Sequence, residues 1–99
     1  MDIKIHSIKF DADAKLLSFI ESKLYKLLQF HDGIINAEVF LKLENVGDNE
    51  NKITEVRLEL PGSPVFAKKQ SSTFEESTDN VVDALRRQLQ KHKEKYKRA

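Results

Sequence analysis

Cysteine and tryptophan are absent from this 99-residue chain, and methionine occurs only at the start. Without cysteine there is no disulfide framework, no thiolate nucleophile and no thiolate metal site, a composition that fits a reducing compartment. Without tryptophan, the core has to be built from aliphatic residues and six phenylalanines, enough for one modest core and one domain spanning 1-99. Glycine and proline are also sparse, three and two. They fall at Gly33, at Gly47 and in Pro61-Gly62-Ser63-Pro64, all read as turns, and none builds a phosphate-cradling loop. Long apolar runs are missing too. The opening MDIKIHSIKFDADAK alternates charged with apolar residues, which fits neither a signal peptide nor a membrane span. The expectation is a soluble, cytoplasmic chain with no membrane contact.

Charge is plentiful, and its placement is uneven. From Arg86 to Ala99 there are seven basic residues against Glu94 alone, a net of +6. The other 85 residues hold ten basic and fifteen acidic groups, a net of −5, so the overall +1 conceals a basic end on an acidic body. Such asymmetry points to a polyanionic partner.

Periodicity predicts six elements. Ile3 and Ile5 alternate with Asp2, Lys4 and His6, as in a half-buried strand. A helix follows, capped by Asp11 or Asp13, with Leu16, Leu17, Ile20, Leu24, Leu27 and Leu28 in one arc of about 120°. Next to its end, Gly33 reads as a left-handed C-terminal residue. In the segment 35–44, Ala37, Val39, Leu41 and Leu43 oppose Glu38, Phe40, Lys42 and Glu44, a second strand. The polar run 47–51 is a hairpin loop, Val56, Leu58 and Leu60 mark a third strand, and 65–72 is a fourth. Thr73-Phe74-Glu75-Glu76 is a capping box that starts a last helix running to about Lys95. The fold class is therefore α+β: a single βαβββα domain, a four-stranded mixed sheet with two helices packed on one face.

On the last helix Thr78, Val81, Val82, Leu85 and Leu89 share an arc of about 100°, and the apolar stripe stops there, so the basic end, 86-99, overhangs the core and is partly frayed. Around the cylinder Arg86, Lys93 and Lys97 form one row and Arg87, Lys91 and Arg98 another. On the first helix Lys15, Lys23 and Lys26 adjoin the apolar stripe, in a sector with Phe19 and Phe30, and Lys68-Lys69 add charge on the fourth strand. If the helices lie side by side, these edges form one continuous groove suited to a phosphate backbone. Phe19 reads as interhelical packing.

Catalysis finds no support in the pattern. His6, His31 and His92 show no zinc-ligand spacing, and His31-Asp32 reads as a helix-terminal cation followed by a turn residue. Glu55 and Glu59 with Arg57 read as ion pairs on a polar sheet face. The chain is expected to be no enzyme and to need no metal, no cofactor and no small-molecule substrate.

The stretches KLYKLLQFHDGIINAEVFLKL (23–43), ELPGSPVFAKK and above all DNVVDALRRQLQKHKEK (79–95) resemble the ribosome hibernation promoting factor and ribosome-associated inhibitor A family, whose older label is sigma-54 modulation protein. The resemblance covers nearly the whole chain and is to the short form, which lacks a second, ribosome-pairing domain. It implies the βαβββα fold and binding in the mRNA and tRNA channel of the small ribosomal subunit. Binding there silences and protects idle ribosomes in stationary phase or stress, by occlusion and without chemistry. By that likeness Lys23, Lys26, Lys68, Lys69, Arg86, Arg87, Lys91, Lys93 and Lys95 are the expected rRNA contacts, and a separate ribosome-dimerising factor is an expected further partner. Two other readings stand beside it: an αβββα double-stranded-RNA-binding module, and a protein-interaction module whose basic tail docks an acidic partner.

Overall fold

A computed structural model describes residues 2–44 and 51–97, with side chains as far as His92. Most of the hairpin loop expected at 47–51, the side chains of Lys93 and Lys95, and the last two residues of the basic end lie outside the described residues. The order is β1 (Asp2–Ile8), α1 (Ala14–Phe30), β2 (Asn36–Leu43), β3 (Lys52–Glu59), β4 (Val65–Ser71) and α2 (Phe74–Lys97). The strands lie in the sheet in chain order, with β1 parallel to β2 and the other neighbours antiparallel. A helical crossover produces the parallel pair, and the two short connections produce the meander.

Local chemistry explains the boundaries. Asp13 caps α1, its Oδ1 accepting the Leu16 amide at 2.8 Å. Thr73 caps α2 in the same way, its hydroxyl accepting the Glu76 amide at 3.1 Å, and Glu75 and Glu76 sit favourably in the first turn. Gly62 supplies φ 97° between the two prolines of the β3–β4 turn. Gly33 does not take the left-handed conformation expected of it; His31 leaves the helix in an extended conformation (φ −142°, ψ 118°) and Gly62 is the positive-φ glycine among the described residues. Glycine is needed at 33 for closeness instead: a Cβ there would lie 2.8 Å from His31 Cε1. Lys9 has φ 66°, turning the chain after β1 so that Phe10 stacks on Phe74 at 5.1 Å.

Both helices cover one face. Register places Ile3 and Ile5 beside Ala37 and Val39, and these beside Leu58 and Val56, so one side of the sheet is a continuous apolar surface. Onto it pack Leu16, Ile20, Leu24, Leu27 and Leu28 of α1 and Val81, Val82, Leu85 and Leu89 of α2, all buried. Leu17 is only half-buried. One polar cluster interrupts the core, where the Thr54 hydroxyl lies 2.6 Å from that of Ser77, which in turn donates to the Phe74 carbonyl.

Candidate nucleic-acid interface

The helices do lie side by side, and an open groove of about 370 Å³ runs between them. Its walls are Lys23 and Lys26 from α1 and Asp79, Val82, Asp83 and Arg86 from α2. Lys23 Nζ is 3.1 Å from Asp79 Oδ1 and 5.4 Å from the centroid of the Phe19 ring. Arg86 stands over the Phe30 ring, Cζ 5.9 Å from its centroid. The aromatic rings are half-buried and packed on the core, so they form the floor against which the long cationic stems lie. Three cations and two carboxylates leave this groove only weakly positive.

Sequence reasoning passed over Asp79 and Asp83, although Asp79, Asp83 and Arg86 fall within about 60° on a helical projection and so had to share a face. The Lys23–Asp79 pair is substantially exposed, with side chains 36% and 49% accessible. An exposed pair of this kind contributes about 0–1 kcal/mol, so it orients Lys23 more than it holds the helices together.

The nine expected contacts do not share one groove. Arg87 and Lys91 are exposed, about 100–140° around α2 from Arg86, on the same side of the helix as the side chains that tie α2 to β4. Those ties are Gln88 Nε2 to the Phe66 carbonyl at 3.0 Å and Asn80 Nδ2 to Ser71 Oγ at 3.3 Å. Strand alternation then separates Lys68 from Lys69. Lys69 pairs in register with Thr54, on the side of the sheet that the helices cover, and is exposed there. Lys68 pairs with Glu55 on the opposite face of the sheet, its Nζ 3.8 Å from Glu55 Oε1.

That opposite face is internally neutralised. His6 bonds Glu38 at 2.9 Å and stacks on Phe40 at 5.0 Å, Lys42 bonds Glu55 at 2.9 Å, and Arg57 lies 3.8 Å from Glu59. Glu55 is thus bridged across both neighbouring strands, whereas Arg57 pairs along its own. The expected pairing of Arg57 with both acids is corrected to this extent.

His31 stands at the C-terminal cap of α1, as expected, but it is buried, 9% accessible, and its Nε2 lies 3.2 Å from Nδ1 of His92, which comes from the other helix 61 residues away. The Gly33 amide donates to His31 Nδ1 at 2.9 Å. The apolar stripe of α2 is therefore extended past Leu89 by a ring-to-ring contact, with centroids 5.1 Å apart. Among the described residues no three His, Asp or Glu side chains gather closely enough to hold a metal ion, and no helix is long and apolar enough to cross a membrane.

The architecture is thus a βαβββα module with cations displayed on both flanks of its second helix. The chain belongs to the family described as sigma 54 modulation protein / S30EA ribosomal protein, which it matches over residues 3–97. It is 30% identical over 97 residues to the ribosome hibernation promoting factor of Klebsiella oxytoca, covering 98% of each chain. It is 34% identical over 79 residues to the ribosome hibernation promotion factor of Deinococcus radiodurans, spanning 79% of this chain and 41% of that one. Among solved structures, a ribosomal subunit interface protein from Coxiella burnetii superposes with a TM-score of 0.83 at 26% identity, over 94% of this chain and 98% of the other. The N-terminal domain of Thermus thermophilus Protein Y superposes with a TM-score of 0.77, also at 26% identity, over 93% and 99% of the two chains.

Proposed function

We propose that this chain is a cytoplasmic, ribosome-binding translation inhibitor that occupies the mRNA and tRNA channel of the small subunit and keeps idle ribosomes silent under stress or in stationary phase. The observation that carries this reading is the family match across residues 3–97, in a chain whose second helix displays Arg86, Arg87 and Lys91 exposed. Occlusion needs no chemistry, only a body of fixed shape held by phosphate contacts. In this proposal Lys23, Lys26 and Arg86 contact rRNA from the interhelical groove, Lys69, Arg87 and Lys91 from the β4 flank, and Lys68, Lys93 and Lys95 extend the contact beyond them. A separate dimerising factor would act on ribosomes already occupied.

Co-sedimentation of the purified protein with ribosomal subunits tests it, comparing the native chain with one carrying Arg86, Arg87 and Lys91 changed to Ala. The native chain is expected to travel with the small subunit and the variant to remain at the top of the gradient with its circular dichroism unchanged. With six to nine phosphate contacts, affinity falls by roughly three to five decades between about 50 and 200 mM salt. A native chain that fails to sediment at low salt overturns the reading.

A further inference from the structure

We propose that the interhelical groove takes one unpaired guanine of the bound RNA, whose Watson–Crick edge donates to the Asp83 carboxylate; this rests on the RNA-binding reading above and goes beyond it by naming the base. A groove built only to hold phosphate has no use for carboxylates, because each one weakens its attraction for a polyanion. Two line this groove, Asp79 and Asp83, one turn apart on α2 and opposite Lys23 and Lys26 of α1. They are not equivalent. Asp79 is engaged by Lys23 at 3.1 Å. Asp83 is exposed and has no hydrogen bond or ion pair among the described residues, so both of its oxygens are left for a ligand.

An ionised carboxylate only accepts, and its two oxygens match a group with two adjacent N–H donors. Among the RNA bases guanine alone presents such a pair on one edge, N1–H beside the N2 amino group. Adenine and cytosine set one amino group beside an acceptor, and uracil sets one N–H between two acceptors. Each of these would turn a lone pair against a carboxylate oxygen. The guanine edge is available only when the base is unpaired, the state in which RNA is read base by base.

The rest of the groove fits a nucleotide. Its volume of about 370 Å³ is in the range of small-ligand sites, roughly 300–1,000 Å³. Arg86, three residues beyond Asp83, has its guanidinium over the Phe30 ring with Cζ 5.9 Å from the centroid, and it is exposed, offering a plane on which a base can stack. Val82 supplies the apolar part of the wall. Lys26, exposed and with no anionic partner among the described residues, is left for the phosphate. An arginine side chain of a protein offers the same two donors as guanine. Lys23, Lys26 and Arg86 repel it, whereas they attract a nucleotide.

Two measurements test the guanine contact. The first uses the isolated protein and fluorescently labelled RNA hexamers at low salt, all uridine except for guanine, adenine or hypoxanthine at one central position. By anisotropy the guanine hexamer is expected to bind at least about fivefold tighter than the adenine one, the discrimination given by one bidentate base contact. Hypoxanthine, which keeps N1–H and lacks the N2 amino group, is expected to fall between them. In Asp83→Asn the three converge, because the amide replaces one acceptor with a donor. The second measures binding to small ribosomal subunits. Removing a negative charge would by itself tighten binding to a polyanion, yet Asp83→Asn is expected to weaken it by at least about fivefold with its circular dichroism unchanged.

Absent binding of the guanine hexamer, or equal binding of guanine and adenine, overturns the proposal. So does unchanged or tighter subunit binding by Asp83→Asn while the native chain still sediments, a result that leaves the ribosome reading intact. Weaker subunit binding without any base preference would put a protein arginine on Asp83 and overturns the guanine contact too. A native chain that does not sediment removes the ribosome reading, and the hexamers then decide the guanine contact by themselves.

Discussion

Lys23 of α1 is held 3.1 Å from Asp79 of α2, so the innermost cation of the interhelical groove already has an anionic partner inside this chain. A phosphate entering there would compete with a carboxylate. Asp79→Asn removes that competition. Tighter binding to ribosomal subunits at low salt is expected, with the slope of log K against log salt steeper by up to about one unit. Equilibrium unfolding should change by less than about 0.5 kcal/mol, because the pair is exposed. Weaker subunit binding by this variant would mean that Asp79 itself contacts the partner.

The division of cations between faces gives an ordering. Arg87→Ala with Lys91→Ala removes two exposed charges from the β4 flank, whereas Lys68→Ala removes one that already lies near Glu55 on the neutralised sheet face. Filter binding to small subunits at fixed salt should show the double variant weakened by at least about tenfold and Lys68→Ala by less than about threefold. Equal losses would place the partner on the outer sheet face.

At Gly33 the constraint is proximity. A Cβ would lie 2.8 Å from His31 Cε1 and 3.2 Å from Nδ1, so Gly33→Ala pushes the ring away and breaks both of its hydrogen bonds. The expected cost is about 1–2 kcal/mol in urea unfolding, non-additive with His92→Ala because both changes break one network. Strict additivity of the two would show that the ring contact contributes nothing to stability.

Lys9 holds a left-handed φ of 66°, a conformation that costs an L-residue about 1–2 kcal/mol. Lys9→Gly removes that strain at some cost in unfolded-state entropy, and a net gain of about 0.5 kcal/mol is expected, read as a higher urea midpoint with an unchanged m-value. A loss of stability would show that the lysine side chain makes a contact worth more than the strain.

The buried Thr54 hydroxyl donates to Ser77, since the Ser77 proton is used on the Phe74 carbonyl. Thr54→Val keeps the shape and removes the donor. A loss of about 1 kcal/mol is expected in thermal or urea unfolding. A stabilised Thr54→Val would mean that burying the hydroxyl costs more than its bond returns.

Much of this fold was legible beforehand because its information is local. The period-2 stretches around Val39 and Val56, the helical arcs of Leu24 and Leu85, the Thr73 cap and the Pro61–Pro64 turn each reflect a single residue's own backbone preference or face. Strand alternation also implied that Lys68 and Lys69 point to opposite faces, and Asp79 and Asp83 were visible on the arc of Arg86. Gly33 was misread because glycine serves two needs, a left-handed backbone and a close approach, and residue identity does not say which applies.

By itself the sequence determined the element order, the apolar face of each element and the concentration of cations on the last helix, since periodicity and charge are properties of a segment alone. Only the tertiary structure decided that Asp79 pairs with Lys23 in the groove, and that His31 meets His92, 61 residues further along the chain. Those depend on the distance and rotation at which two helices settle on one sheet. Side-chain volumes summed over the whole core set that geometry, and no single segment encodes it.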